Sequence, residues 1–192
     1  MRRSTKFFGA IAGAGLLLTA AVSPAMADVV NSTVSGGALS VTTAAPALSA
    51  VTLNGTSTQT STGTSAAWSI TDARGTGTAW AVSASATAFT SAAGSVELTA
   101  RTIAIAGLTI TPGTVTAGAG ADPATNITAP ALTMSTTAQA LVSATGSSKG
   151  TYSLAPSFSL DIPANAFRSN YSGVVGTSEL NPYTSTITYT IA

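Results

Sequence analysis

The chain has 192 residues, 45% of them hydrophobic and only 7% charged, with a formal net charge of +1 and neither Cys nor His. Without those two residue types, disulfide stapling, Cys- or His-based nucleophile chemistry and the usual zinc sets are all excluded. The six carboxylates are too scattered for a paired-carboxylate hydrolase or a calcium site, so no metal or organic cofactor is expected and the chain reads as a non-enzyme.

Residues 1–27 have the form of a secretory signal peptide. Arg2, Arg3 and Lys6 precede an apolar run from Phe7 to Val22, and Ala25-Met26-Ala27 supplies the small residues a signal peptidase reads. The run is too short and too broken by Gly for a membrane span, so no stable membrane insertion is expected after cleavage. Three of the seven Lys and Arg lie in this segment and none of the six acids does, which leaves residues 28–192 at a net −2. The basic balance therefore belongs to targeting, and neither nucleic acid nor an anionic membrane is an expected partner. Residues 28–192 amount to a single domain.

In chain order, "GALSVTT" alternates through Leu39, Val41 and Thr43, and "AVTLNG" through Val51 and Leu53 before a turn at Asn54-Gly55. "AAWSIT" sets Trp68 and Ile70 on one face, and "AWAVSASATAF" sets Trp80, Val82, Ala84, Ala86 and Ala88 on one face. "SVELTA" contributes Val96 and Leu98. "RTIAIAGLTITPG" gives Ile103 and Ile105, then Leu108 and Ile110, with Gly107 expected as a bulge that corrects the parity. Residues 112–130, rich in Gly, Pro and Ala, read as a long loop. "ALTMS", "AQALVSA", "TYSLA" and "SFSLDIP" follow as short strands, the last alternating through Phe158, Leu160 and Ile162. In "YTSTITYTIA", Tyr183, Ser185, Ile187, Tyr189 and Ile191 share one face and four threonines the other. This pattern predicts an all-β fold, a single antiparallel β-sandwich of Ig-like or Greek-key type with long Gly/Pro-rich loops.

Chemistry concentrates in "ITDARGTGTAW". Asp72, Arg74, Gly75, Thr76 and Gly77 should form the turn between the Trp68 and Trp80 strands, with Gly75 and Gly77 free to adopt positive φ. Asp72 and Arg74 have two readings. They form an exposed ion pair of small energetic worth, roughly 0–1 kcal/mol, or Arg74 binds a carboxylate or phosphate of a polymer. No helix pattern follows Gly-x-Gly, which argues against a nucleotide site. The Asn-x-Ser/Thr triplets at Asn31, Asn54, Asn126 and Asn170 read as products of a Ser/Thr-rich composition.

The segment Asp72-x-Arg74-Gly75-Thr76-Gly77 followed by Trp80, with "AVTLNGTSTQT" before it and "YTSTITYTIA" at the end, resembles the WxL domain family. The resemblance covers most of residues 28–192. It implies an exported, wall-associated protein of Gram-positive bacteria whose partner is peptidoglycan or an associated wall polymer, with other cell-surface proteins as further partners. It places the first Trp-x-Leu motif on Trp80-Ala81-Val82 and the second on Tyr189-Thr190-Ile191. Val82, Tyr189 and Ile191 depart from the motif but keep its apolarity, which favours core roles. Residues 167–182, with Arg168, Tyr171 and Glu179, look like an insertion before the last strand. Nothing resembling a wall-sorting tail follows Ala192, so attachment is expected to be non-covalent. The alternative is a fibre subunit that lends its first strand, "VSGGALSVTT", to a neighbour.

Overall fold

The structure is a computed structural model, and it describes residues 29–91, 99–169 and 182–192. The chain divides into two units, Met1–Val34 and Ser35–Ala192. Of the first, only residues 29–34 are described, and they carry no regular secondary structure. The expected signal peptide and most of the "SVELTA" strand and of the 167–182 insertion lie outside the described residues.

The second unit is all-β among the described residues. Its strands are β1 (Leu39–Thr42), β2 (Gln59–Thr64), β3 (Trp68–Asp72), β4 (Trp80–Ala86), β5 (Phe89–Thr90), β6 (Thr102–Ile103) and β7 (Leu108–Thr111). They continue as β8 (Thr116–Ala117), β9 (Ile127–Thr128), β10 (Leu132–Thr133), β11 (Gln139–Ala144), β12 (Gly150–Leu154), β13 (Ser157–Ile162) and β14 (Ile187–Ile191). All pair antiparallel, in sheets ordered β1-β3-β12-β8, β10-β7-β13-β2, β14-β4-β11-β9 and β5-β6, none closed into a barrel.

Period-2 patterning explains which faces are buried. Trp68, Ile70 and Asp72 point inward along β3, and Trp80, Val82, Ala84 and Ala86 along β4. All of these except Asp72 join Leu108, Ile110, Tyr152, Leu154, Phe158 and Leu160 in one continuous hydrophobic cluster drawn from all three larger sheets. In β11 both Leu141 and Val142 are buried because the register with β4 shifts between Ala140 and Val142, a bulge that turns two neighbours to the same side. The opposite faces carry hydroxyls, so Ser153 pairs with both Ser69 and Thr116, and Ser159 with Thr62 and Thr109.

Several expectations change. Residues 50–53 alternate but form no strand. The strand of that region is β2, which follows the Asn54 turn, where the Asn54 Oδ1 accepts the backbone N–H groups of Thr56 and Ser57 at 3.0 and 3.1 Å. Gly107 is not a bulge. Ile105–Gly107 form a 3-10 turn that resets the parity, closed by the Gly107 N–H donating to Ala104 O at 3.1 Å. A Cβ on Gly107 would lie 2.9 Å from Asp161 O, so only glycine fits beside β13. Residues 112–130 are not simply loop, since β8 and β9 within them pair with β12 and β11. Finally, Ala88 leaves the buried face after β4 ends, and Phe89 takes its place in β5.

Candidate functional site

Asp72 is the last residue of β3 and has the parity of Trp68 and Ile70, so its carboxylate points inward and its side chain is 0% exposed. Arg74, two residues on, returns over it. Its Nε donates to Asp72 Oδ1 and its Nη2 to Oδ2, both at 3.0 Å, and its backbone N–H donates to Oδ1 at 3.1 Å. The pair is thus two-pronged and half interior, not the exposed pair expected from the sequence, since the Arg74 side chain keeps 24% of its surface. Nη2 also donates to Thr78 O at 2.9 Å, which draws the far side of the turn onto the guanidinium. Nη1 makes no bond to any described residue.

The turn is braced on two more sides. The Gly37 N–H donates to Ala73 O at 2.7 Å and the Ala73 N–H to Ala38 O at 3.0 Å, and a Cβ on Gly36 would collide with Arg74 O. On the other side, Trp80 is 3% exposed and donates its indole N–H to Ser148 O at 3.1 Å, while its ring centroid lies 6.2 Å from that of Tyr152. Next to Ser148, Lys149 Nζ meets Asp122 Oδ2 at 2.6 Å, and the Tyr152 hydroxyl donates to Asp122 O and Lys149 O. Residues 75–79 are exposed between the buried anchors Asp72 and Trp80, and Gly75 takes a φ of +71°. Sequence reasoning found the turn but not Ser148, Lys149, Asp122 or Tyr152, which lie far along the chain.

The electrostatics follow from these contacts. The guanidinium of Arg74 holds the Asp72 carboxyl below the usual carboxylate range, and burial pulls the other way without prevailing. The backbone N–H of Arg74 and the charge of Lys149 add to the lowering. Asp122 is lowered likewise by the Lys149 ammonium and its backbone N–H.

At the far side of β4, β14 pairs in register, with Ile191 opposite Val82 and Tyr189 opposite Ala84. Two segments more than a hundred residues apart in sequence are thereby laid side by side. Among known families, the one described as WxL domain, surface cell wall-binding, matches residues 27–192. The chain belongs to the WxL domain family. No curated protein and no solved structure matches it.

In this WxL domain the residues expected to carry the two Trp-x-Leu motifs are neighbours in one sheet, Trp80 and Val82 on β4 and Tyr189 and Ile191 on β14. Their aromatic partners lie elsewhere. Trp80 packs with Tyr152, whereas Tyr189 meets Trp68, from the sheet that contains β3. Val82 is completely buried, and Ile191 is half-buried against the same core. Among the described residues, no helix of the WxL domain is long and apolar enough to cross a membrane.

Proposed function

We propose that the protein is exported through residues 1–27 and binds peptidoglycan, or a polymer attached to it, non-covalently and without catalysing a reaction. The observation that carries this reading is the family match over 27–192, because the family is one of surface, cell wall-binding domains. We take the sheets that share one core as a single antiparallel sandwich, and residues 28–192 as one domain. The family match lends no support to the fibre alternative, and β1 is already paired along its whole length with β3 of the same chain.

In this reading the contact surface includes the turn after β3. Its residues 75–79 are exposed yet held at both ends, so an ordered polar loop meets the polymer at little entropic cost. Asp72 aims Arg74, and the unbonded Nη1 edge of Arg74, with the backbone and hydroxyl groups of Gly75, Thr76 and Gly77, faces a carboxylate, phosphate or carbonyl of the wall. Trp80, Val82, Ile191 and the ring of Tyr189 brace the domain by packing. Other surface proteins are further candidate partners.

Co-sedimentation of the purified protein with insoluble peptidoglycan tests the reading. The parent should pellet with the wall, and Thr76→Glu, which alters only an exposed side chain, should weaken pelleting without lowering the melting temperature. A parent that stays in the supernatant at every wall concentration defeats the proposal, and unchanged binding by Thr76→Glu removes the turn from the contact surface.

A further inference from the structure

A cavity of about 460 Å³ opens between residues 43–48, which follow β1, and the approach to β14. It lies toward the opposite end of β4 from the Arg74 turn, a separation of roughly 20 Å at strand spacing. Pro46, Leu48 and Tyr183 line it with Tyr189, and the buried Phe89 and Phe158 form its floor. The volume falls within the range of small-molecule sites.

Two features restrict what fits. First, no charged side chain is among its described lining residues, so a phosphate or carboxylate placed there would lose water and find no counter-charge. Second, Tyr189 stands apart from the other described tyrosines. The hydroxyl of Tyr152 donates to two carbonyls, and that of Tyr183 to Phe167 O at 2.9 Å. The Tyr189 hydroxyl has no partner among the described residues, although burial desolvates it enough to push its pKa up to about 12. The hydroxyl oxygen is not sealed from solvent, and a guest that displaces water from it must offer an acceptor. A purely apolar guest, such as a hydrophobic side chain of a protein partner, would fill the volume and still leave that group unmet. Thr43 adds a hydroxyl to the lining of the same cavity.

We propose that this cleft binds an uncharged N-acetylated sugar unit of a glycan chain, with the Tyr189 hydroxyl donating to the amide carbonyl of the sugar. The acetyl methyl and the C–H face of the ring meet the Pro46, Leu48, Phe89 and Tyr183 surfaces, and the ring hydroxyls meet water and Thr43. The Tyr189 ring itself does not stack on the sugar, because its contact with Trp68 is edge to face. That the sugar belongs to the wall rests on the reading proposed above; the affinity of the cleft does not.

The purified protein is titrated with a soluble β-1,4-linked tetramer of N-acetylglucosamine, followed by calorimetry and by amide chemical shifts. Saturable binding is expected, with shifts confined to residues 43–48, Phe89 and 183–189. Tyr189→Phe, which keeps the ring and its Trp68 contact, should weaken binding about three- to tenfold, the worth of one neutral hydrogen bond. Thr43→Tyr, which fills the mouth, should abolish it, with melting curves confirming that both variants fold. Absent saturation, shifts centred elsewhere, or equal affinity of the parent and Tyr189→Phe would overturn the proposal. Wall sedimentation run in parallel separates the two readings. Wall binding without tetramer binding overturns the cleft alone, and tetramer binding without wall binding supports the cleft while the wall reading falls.

Discussion

Trp68 and Tyr189 meet edge to face, with ring centroids 4.7 Å apart and planes at 73°, and this contact ties β3 of one sheet to β14 of another. Trp68 is 1% exposed and donates its indole N–H to Ala44 O at 3.3 Å, so one side chain holds the β1–β2 connection, the core and the last strand together. Trp68→Ala is expected to destabilise the protein by about 3–5 kcal/mol, the usual cost of removing a fully buried large aromatic. Tyr189→Phe, which keeps the edge contact and removes only a hydroxyl with no partner among the described residues, should shift stability by well under that. Urea unfolding of the two variants beside the parent checks the contrast, and similar midpoints for both would show that the contact matters little.

Asp72 and Arg74 make an asymmetric pair, the carboxylate interior and the guanidinium at the surface. Removing the guanidinium strands a buried carboxylate, whereas removing the carboxylate leaves a cation that can turn to water. Arg74→Ala should therefore lower the melting temperature by several degrees and by more than Asp72→Ala does. The double variant should recover part of the loss of Arg74→Ala. Thermal melts of the three variants decide it, and simple additivity would contradict the asymmetry.

How much of this was legible in the sequence depends on where a residue sits. The alternation in Trp80–Ala86 and Ile187–Ile191 gave the buried faces directly, because these strands lie against the core on one side only. The strand β2 escaped notice because its inward positions are Ser61 and Gly63. The Ser61 hydroxyl donates to Ser49 O at 2.5 Å, and Gly63 has no room for a Cβ against Ala47 O, so no apolar signature exists to read. Asp72 carried a signal that was there to use, since it continues the Trp68, Ile70 parity and therefore points inward. The bracing of Trp80 by Ser148 and of Tyr152 by Asp122 depends on strand order, which local periodicity does not encode. The two-residue strands β8 and β9 are too short to show any period at all.

The same ion pair sets the acid limb of stability. The folded Asp72 carboxyl titrates below its ordinary value near 3.8, as does Asp122 beside Lys149. As pH falls through the ordinary carboxylate range, the unfolded chain takes up protons that the folded chain still refuses, so stability present above that range drains away on acidification. Asp72→Asn should flatten this limb while leaving the part due to Asp122. Melting temperatures from pH 6 down to pH 2 check it, and identical slopes for parent and Asp72→Asn would show that Asp72 contributes nothing to acid unfolding.

The alkaline limb runs the other way and belongs to Tyr189. Burial pushes its pKa from 10.0 to about 12, so between those values the unfolded chain releases a proton that the folded chain retains. Stability is then complete below pH 10 and falls as pH rises through that window. Tyr152 and Tyr183 are raised as well, chiefly by burial, and so share the slope. Tyr189→Phe should reduce the alkaline loss of melting temperature without abolishing it. Tyrosinate absorbance offers an independent reading, because the Tyr189 phenol should ionise in a step near pH 12 that vanishes in Tyr189→Phe. A bound sugar whose carbonyl accepts from the Tyr189 hydroxyl favours the neutral phenol further, so the tetramer of N-acetylglucosamine should delay the same step to still higher pH. A late step indifferent to saturating tetramer would mean that the hydroxyl does not meet the ligand.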